Sequence, residues 1–346
     1  MSFIRDKFRD TQTLSYDDVI LMPQYSEIRS RSEIDLSVDL REDLRLTLPI
    51  ISSPMNTITE TNMANAMHAL GGLGILHRYN TIEYQAKLLG FVKGIKAAAI
   101  GVTGDWQERL TALVNVGLQV VCLDVAHGDH ILMVEGITWV KDNFPQLYII
   151  AGNVASREGY IRLAQAGADA IRVSIGSGSI CTTRIQTGHG RPTLDAIIDA
   201  AEARHDMSLK ALIIADGGIK NAGDIVKSLA VGADLVMLGS VLAGTYETPG
   251  RIVKVEGKSC KTYSGMASKE AQLRGRGYYN SIEGVSAVVR FKGNVSYTIN
   301  ELQKNITSGL SYSGARTIKE LQQNAIFQIQ TSASHLEGLP HILTRH

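Results

Sequence analysis

Four stretches of the chain repeat one pattern, in which apolar residues at helical spacing end at a glycine and are followed at once by a short, nearly continuous apolar run. They read NAMHALGGLGILHR, LTALVNVGLQVVCLDVA, YIRLAQAGADAIRVSI and IVKSLAVGADLVMLGS. The spacing predicts an amphipathic helix, the glycine supplies the left-handed residue that closes it, and the apolar run predicts a strand buried on both faces. With the remaining β-rich runs, eight strands are predicted, over 48–54, 72–78, 97–102, 120–126, 148–154, 170–176, 212–218 and 235–240. Eight buried strands alternating with helices predict an α/β protein, a closed (β/α)8 TIM barrel. The alternative, a doubly wound sheet, would more often carry a glycine-rich dinucleotide turn after its first strand, and LPIISSPMNT is not one.

Two departures from the regular spacing stand out. The gap between the sixth and seventh strands is long and holds SIGSGSICTTRIQTGHGRP (174–192), and a second excursion follows the eighth strand, from Thr245 to Ser308, before a final helix over 317–328. Both extra segments leave from the carboxyl ends of strands, the face where barrel active sites form. The expectation is therefore one catalytic domain over 1–346, with an extended catalytic loop and a carboxyl-terminal lid insertion.

Composition narrows the function. The 35 basic and 34 acidic residues leave a net charge of +1, so no bulk attraction to nucleic acid or an anionic membrane is expected. The chain has no apolar stretch near the roughly 20 residues that span a bilayer, and its amino terminus lacks the apolar core of a signal peptide. Three cysteines, Cys122, Cys181 and Cys260, form no disulfide framework, which places the protein in the cytoplasm.

Cys181 lies in the Gly/Ser loop beside Thr182, Thr183 and Arg184. A guanidinium and exposed main-chain N–H groups favour a thiolate, so this cysteine is read as a nucleophile rather than a small packed residue. Cys122 falls within an apolar strand and is read as core, and Cys260 as part of a solvent-facing hairpin. ADGG (215–218) and LGS (238–240) end the last two strands, where main-chain amides of Gly217, Gly218, Gly239 and Ser240 can hold a phosphate and Asp216 suits a ribose diol. Asp124, His127 and His130 end the fourth strand; the HxxH spacing of the two histidines hints at a metal, but no third ligand of suitable character is evident nearby, and a loop or substrate-contacting role is the reading. LRGRGYY (273–279) is read as a mobile lid, hinged at Gly275 and Gly277, rather than an RNA contact.

GSICTTR, ADGGI, LGS, YSGMAS and EGV…FKG, in this order, closely resemble the IMP dehydrogenases and GMP reductases, and with LSYDDVILMP and ISSPMNT the resemblance covers nearly the whole chain. It implies an oxidoreductase of purine metabolism in which the Cys181 thiolate attacks C2 of a purine nucleoside monophosphate. It further implies that Thr183 and Glu283 assist proton transfer. Ser179, Gly217, Gly218, Gly239, Ser240 and Tyr263 match phosphate positions, Asp216 the ribose ligand, and Ser53, Met55, Gly265 and Met266 hold the nucleotide. Asp124, Val125, Ala126 and Asn153 lie toward the nicotinamide cofactor, carbonyls of Gly176, Gly178 and Cys181 can hold a monovalent cation such as K+, and the assembly is a homotetramer.

The family runs one covalent chemistry in two directions. A reductase releases ammonia from GMP and uses NADPH to yield IMP; a dehydrogenase uses NAD to oxidise IMP and then water to release XMP. The stretch from Arg78 to Ala97 is too short for the regulatory CBS modules common in dehydrogenases, and RGRGYY lacks the adjacent Arg-Tyr pair of their lid. IRSRSE, LDVAHG, RIQTG and LSYSGA also look closer to reductases. EGVSAVV and the tail SHLEGLPHILTRH look more like dehydrogenases, while Asn56, Ser177 and GHGRPT depart from both patterns. The reading is a GMP reductase, with an IMP dehydrogenase without CBS modules as the alternative and a catalytically inactive nucleotide-binding protein as the alternative of another class.

Overall fold

Every predicted strand is present, and together they close a ring. The computed structural model describes residues 12–277, 279, 282–340 and 342. Among the described residues the first strands are β1 (Val19–Leu21) and a hairpin of β2 (Val38–Arg41) and β3 (Leu44–Leu46). The barrel strands follow as β4 (Ile50–Ser52), β5 (Leu73–Leu76), β6 (Ala97–Ile100), β7 (Val120–Asp124), β8 (Tyr148–Val154), β9 (Ala170–Val173), β10 (Leu212–Asp216) and β11 (Leu235–Leu238). Each pairs in parallel with its sequence neighbours, and β11 returns to β4.

The near-continuous apolar runs divide by the two-residue period of a strand. In β7, Val121 and Leu123 belong to the layer between strands and helices, whereas Val120 and Cys122 point into the barrel. The inner cluster also takes in Leu40, Leu44 and Leu46, so the β2/β3 hairpin packs into the same core as the inward residues of the strands.

Outside the barrel lie α1 (Thr61–Ala69), α2 (Ile82–Gly90), α3 (Trp106–Asn115), α4 (Ile131–Asn143) and α5 (Arg157–Ala166). After the short α6 (Thr183–Thr187) come α7 (Thr193–Asp206) and α8 (Ala222–Ala230). The four predicted helix-ending glycines hold: Gly71, Gly117, Gly167 and Gly232 have φ of +84°, +91°, +105° and +117°. At the opposite ends, Ser156 accepts from Gly159 N at 3.0 Å and Asn221 from Asp224 N at 3.0 Å, satisfying first-turn amides of α5 and α8.

The second excursion is shorter than its sequence implies. It forms an antiparallel sheet of β12 (Val253–Val255), β13 (Lys258–Ser264) and β14 (Ser286–Arg290), with α9 (Lys269–Arg276) between the last two strands. From Val295 the chain is already in α10 (Val295–Tyr312), which packs on α8 as the barrel's eighth outer helix, with Ile299, Ile306 and Leu310 buried. The last helix predicted from the sequence, α11 (Ile318–Asn324), also ends early: Phe327–Ile329 is strand β15, paired antiparallel with β1, and a short α12 (Ser332–Glu337) follows. Periodicity within 317–328 could not reveal that strand, because its partner lies at the other end of the chain.

Candidate functional site

The loops at the carboxyl ends of the strands surround a cavity of about 270 Å³, lined by every residue that the family resemblance assigns to catalysis, the nucleotide, the cofactor side or the cation. Cys181, Thr183 and Glu283 meet there. The Cys181 thiol donates to Thr183 Oγ1 at 3.1 Å, and the Thr183 hydroxyl donates to Glu283 Oε2 at 2.8 Å. The main chain fixes this relay: Cys181 and Gly284 form an antiparallel bridge, Thr182 N donates to Glu283 O at 2.8 Å, and Val285 N donates to Ile180 O at 3.0 Å. The loop after β9 is thereby joined to the segment leading into β14.

The wall formed at the ends of β10 and β11 is built largely of main chain. Gly217 and Gly218 have φ of +87° and +77°, and a Cβ on Gly217 would stand 3.3 Å from Gly178 N, so the loop after β10 packs directly on the catalytic loop. At the end of β11, a Cβ on Gly239 would lie 3.2 Å from the Tyr263 hydroxyl and 3.3 Å from Met55 Sδ. Ser179 Oγ and the Tyr263 hydroxyl stand 3.4 Å apart, and burial pushes the Tyr263 phenol up, so it remains a neutral hydrogen-bonding group. Ser53 and Ser240 complete this side. Met266 Sδ accepts from Asn56 N at 3.3 Å, and Asn56 Oδ1 accepts from Ser264 Oγ at 3.4 Å, which ties the loop after β4 to the end of β13 near Gly265.

Asp216 ends β10 with three donors on a single oxygen. Asn153 Nδ2 at 2.7 Å, Arg172 Nε at 3.0 Å and Arg172 Nη2 at 2.8 Å all reach Oδ2, so Oδ1 takes no part in these bonds and is left to serve the cavity. Asp124 is placed differently. Arg172 Nη1 binds its Oδ1 at 2.5 Å and Arg78 Nε binds its Oδ2 at 3.4 Å. Burial acts to raise the Asp124 carboxyl, and the two guanidiniums outweigh it, holding it below the usual aspartate range. Asp124 is therefore an ion-paired wall of the cavity toward which Val125 and Ala126 also turn.

Three sequence readings need correction. The Arg184 guanidinium donates to Ser177 Oγ at 3.0 Å instead of addressing the thiol. Cys260 is buried within the antiparallel sheet, 6% exposed, because β13 is the central strand between β12 and β14. Gly275 lies inside α9 and is no hinge; Gly277, at φ +78°, ends that helix, and Tyr278 lies outside the described residues. The core assignment of Cys122 holds, since it is fully buried. His130 caps α4 by accepting from Leu132 N at 3.1 Å, and among the described residues no group of three His, Cys, Asp or Glu side chains is placed to hold a metal.

Sequence reasoning passed over Arg172 and Arg78. The available signal was a charged residue inside the apolar run AIRVSIG, a position that only a paired group occupies. A second cavity, of about 710 Å³, was also missed. It is lined by His127, Ser156, His189 and Arg191 among others, and shares Ala126, Ile175, Thr183 and Glu283 with the first. The unusual GHGRPT run lines this second cavity: Arg191 donates to Asp195 at 2.5 Å and also pairs with Asp199.

Comparison with known proteins agrees with this geometry. Residues 13–341 match the family model of the IMP dehydrogenase / GMP reductase domain. The chain belongs to this family. Curated IMP dehydrogenase / GMP reductase relatives include the inosine-5'-monophosphate dehydrogenases of Nitrosopumilus maritimus, 32% identical over 95% of this chain and 98% of the relative, and of Borreliella burgdorferi, 33% identical over 95% and 97%. That of Bacillus subtilis is 32% identical over 95% of each chain. The alignment to the Nitrosopumilus protein runs over 467 positions against the 346 residues here, so that relative carries stretches with no counterpart in this chain. As a family member with a (β/α)8 barrel, the protein is an oxidoreductase of purine nucleotides that uses a nicotinamide cofactor.

Proposed function

We propose that the protein is an NADPH-dependent GMP reductase that converts GMP to IMP and ammonia through a covalent thioimidate on Cys181. The observation that carries the reading is the continuous proton path from Cys181 Sγ through Thr183 to Glu283. As sulfur attacks C2 of the purine, the thiol proton passes through the Thr183 hydroxyl to the Glu283 carboxylate. The same route returns it to the departing amino group, and ammonia leaves with the C2–N bond broken. A single carboxylate then serves both steps. When bound, the cofactor would supply the hydride that ends at C2; sulfur would depart as thiolate and regain its proton from solvent.

Asp216 Oδ1 would take the ribose hydroxyls, and the main chain at Gly217, Gly218, Gly239 and Ser240, with Ser179 and Tyr263, the 5'-phosphate. Ser53, Met55, Gly265 and Met266 would enclose the base. Asp124, Val125, Ala126 and Asn153 would face the nicotinamide, and the second cavity, which opens onto the relay through Thr183 and Glu283, offers room for the rest of the dinucleotide. Gly176 and Gly178 line the loop where main-chain carbonyls would hold K+; Gly178 O also accepts from Cys181 N at 3.0 Å, which leaves it one further lone pair. The assembly is proposed to be a homotetramer in the cytoplasm. Exposed Ile20 and Ile329 on the β1/β15 pair support association, and no helix among the described residues is long and apolar enough to cross a membrane.

A second reading, oxidation of IMP with NAD and water to XMP, is favoured by the names of the relatives above and by EGVSAVV. Incubating the protein with GMP plus NADPH, and separately with IMP plus NAD, while following absorbance of the reduced nicotinamide decides the direction. Consumption of NADPH with GMP is expected; NADH formation from IMP alone would reverse the assignment.

A further inference from the structure

Arg172 is a charged side chain in the apolar strand β9, and it is 7% exposed. Its planar guanidinium donates twice to Asp216 Oδ2, at the end of β10, and once to Asp124 Oδ1, at the end of β7, and it approaches Cys122 Sγ at 3.6 Å. Arg78, from the end of β5, closes the chain of charges on the far oxygen of Asp124. One cation thus spans two carboxylates that project from different strands toward different parts of the same cavity.

We propose that Arg172 is a positioning residue that orients Asp216 toward the nucleotide ribose and Asp124 toward the cofactor side through one guanidinium, so that the two halves of the site are set together. The proposal rests on the nucleotide reading above. Its physical basis is the fixed fork of the guanidinium, which meets two carboxylates at once where an ammonium on a flexible stem meets one well. Removing the cation leaves two partly buried carboxylates without their shared counter-charge, and both must turn or rehydrate.

The test is steady-state kinetics on the full chain, with GMP and NADPH, or with IMP and NAD if that is the pair turned over. Arg172→Met is expected to raise KM for the nucleotide and KM for the cofactor at least tenfold each, with a smaller fall in kcat. The rate of Cys181 alkylation by iodoacetamide should stay at the wild-type value, because the Cys181–Thr183–Glu283 relay is untouched. Arg172→Lys should restore one of the two KM values and not the other. If Arg172→Met does not fold, Arg172→Lys decides: both KM values at wild-type level would overturn the bridging role, as would Arg172→Met raising only one. Binding of GMP and its 2',3'-dideoxy analogue to the wild-type protein separates the two levels. Equal affinity would sink the ribose assignment and this proposal with it, whereas discrimination by the wild type with unchanged KM values in Arg172→Met would sink the role of Arg172 alone.

Discussion

The Thr183 hydroxyl and Glu283 Oε2 stand 2.8 Å apart although a hundred residues separate them in the chain. Thr183 opens the short helix of the loop after β9, while Glu283 belongs to the segment that enters the antiparallel sheet, and the Cys181–Gly284 bridge brings the two segments together. The relay is therefore as firm as that main-chain pairing.

Cutting the relay in its middle should leave the nucleotide site intact. Thr183→Val keeps the shape and removes the hydroxyl, and kcat is expected to fall about 10²–10⁴-fold, the usual contribution of a placed acid or base, with little change in nucleotide affinity. Pre-steady-state release of ammonia measured against calorimetric binding of GMP would show this; an equal loss of affinity would mean that the hydroxyl only packs.

Cys181→Ala is expected to fold, to bind nucleotide and to show no turnover. In the proposed route the sulfur is the atom to which the purine becomes attached, and no other cysteine lines the cavity. Mass spectrometry of wild-type protein quenched with substrate should reveal a nucleotide adduct on the peptide that carries Cys181. Residual turnover at the wild-type rate would exclude a covalent route.

The three thiols should separate by their surroundings. Cys122 and Cys260 are buried, and burial pushes the Cys122 thiol up to about 12, whereas Cys181 is partly exposed. At pH 8 iodoacetamide should label Cys181 alone until the protein unfolds. The sign of the linkage follows: between the ordinary thiol range and about 12 the unfolded chain loses this proton and the folded one keeps it, so stability falls as pH rises through that window. The slope is on the order of 1.4 kcal/mol per pH unit for one proton. Denaturant titrations from pH 8 to 11 should show a gentler alkaline loss for Cys122→Ala.

Leu44→Ala tests the separation of scaffold from chemistry. Leu44 is 1% exposed and joins the β2/β3 hairpin to the inward residues of the barrel. Truncation should cost about 2–5 kcal/mol by denaturant unfolding. Nucleotide affinity should be unaffected, since Leu44 does not line the cavity.

What the sequence determined by itself was the barrel and the chemistry-bearing groups. Helical spacing closed by Gly71, Gly117, Gly167 and Gly232 is a local property, and so is an apolar run long enough for one strand; eight such strand runs alternating with helices favour a closed sheet, as found. GSICTTR marked the candidate nucleophile because a cysteine in a Gly/Ser loop has little packing reason to be there. Tertiary structure alone decided which side chains meet. The β1–β15 pair joins the two ends of the chain, Arg184 turns to Ser177 instead of the thiol, and Arg172 reaches from within an apolar strand to Asp124 and Asp216. Such contacts depend on strand register and on how loops from separate βα units fold over one barrel mouth. A periodic pattern reports which face of an element is buried; it carries no information about which charges the closed ring sets opposite one another.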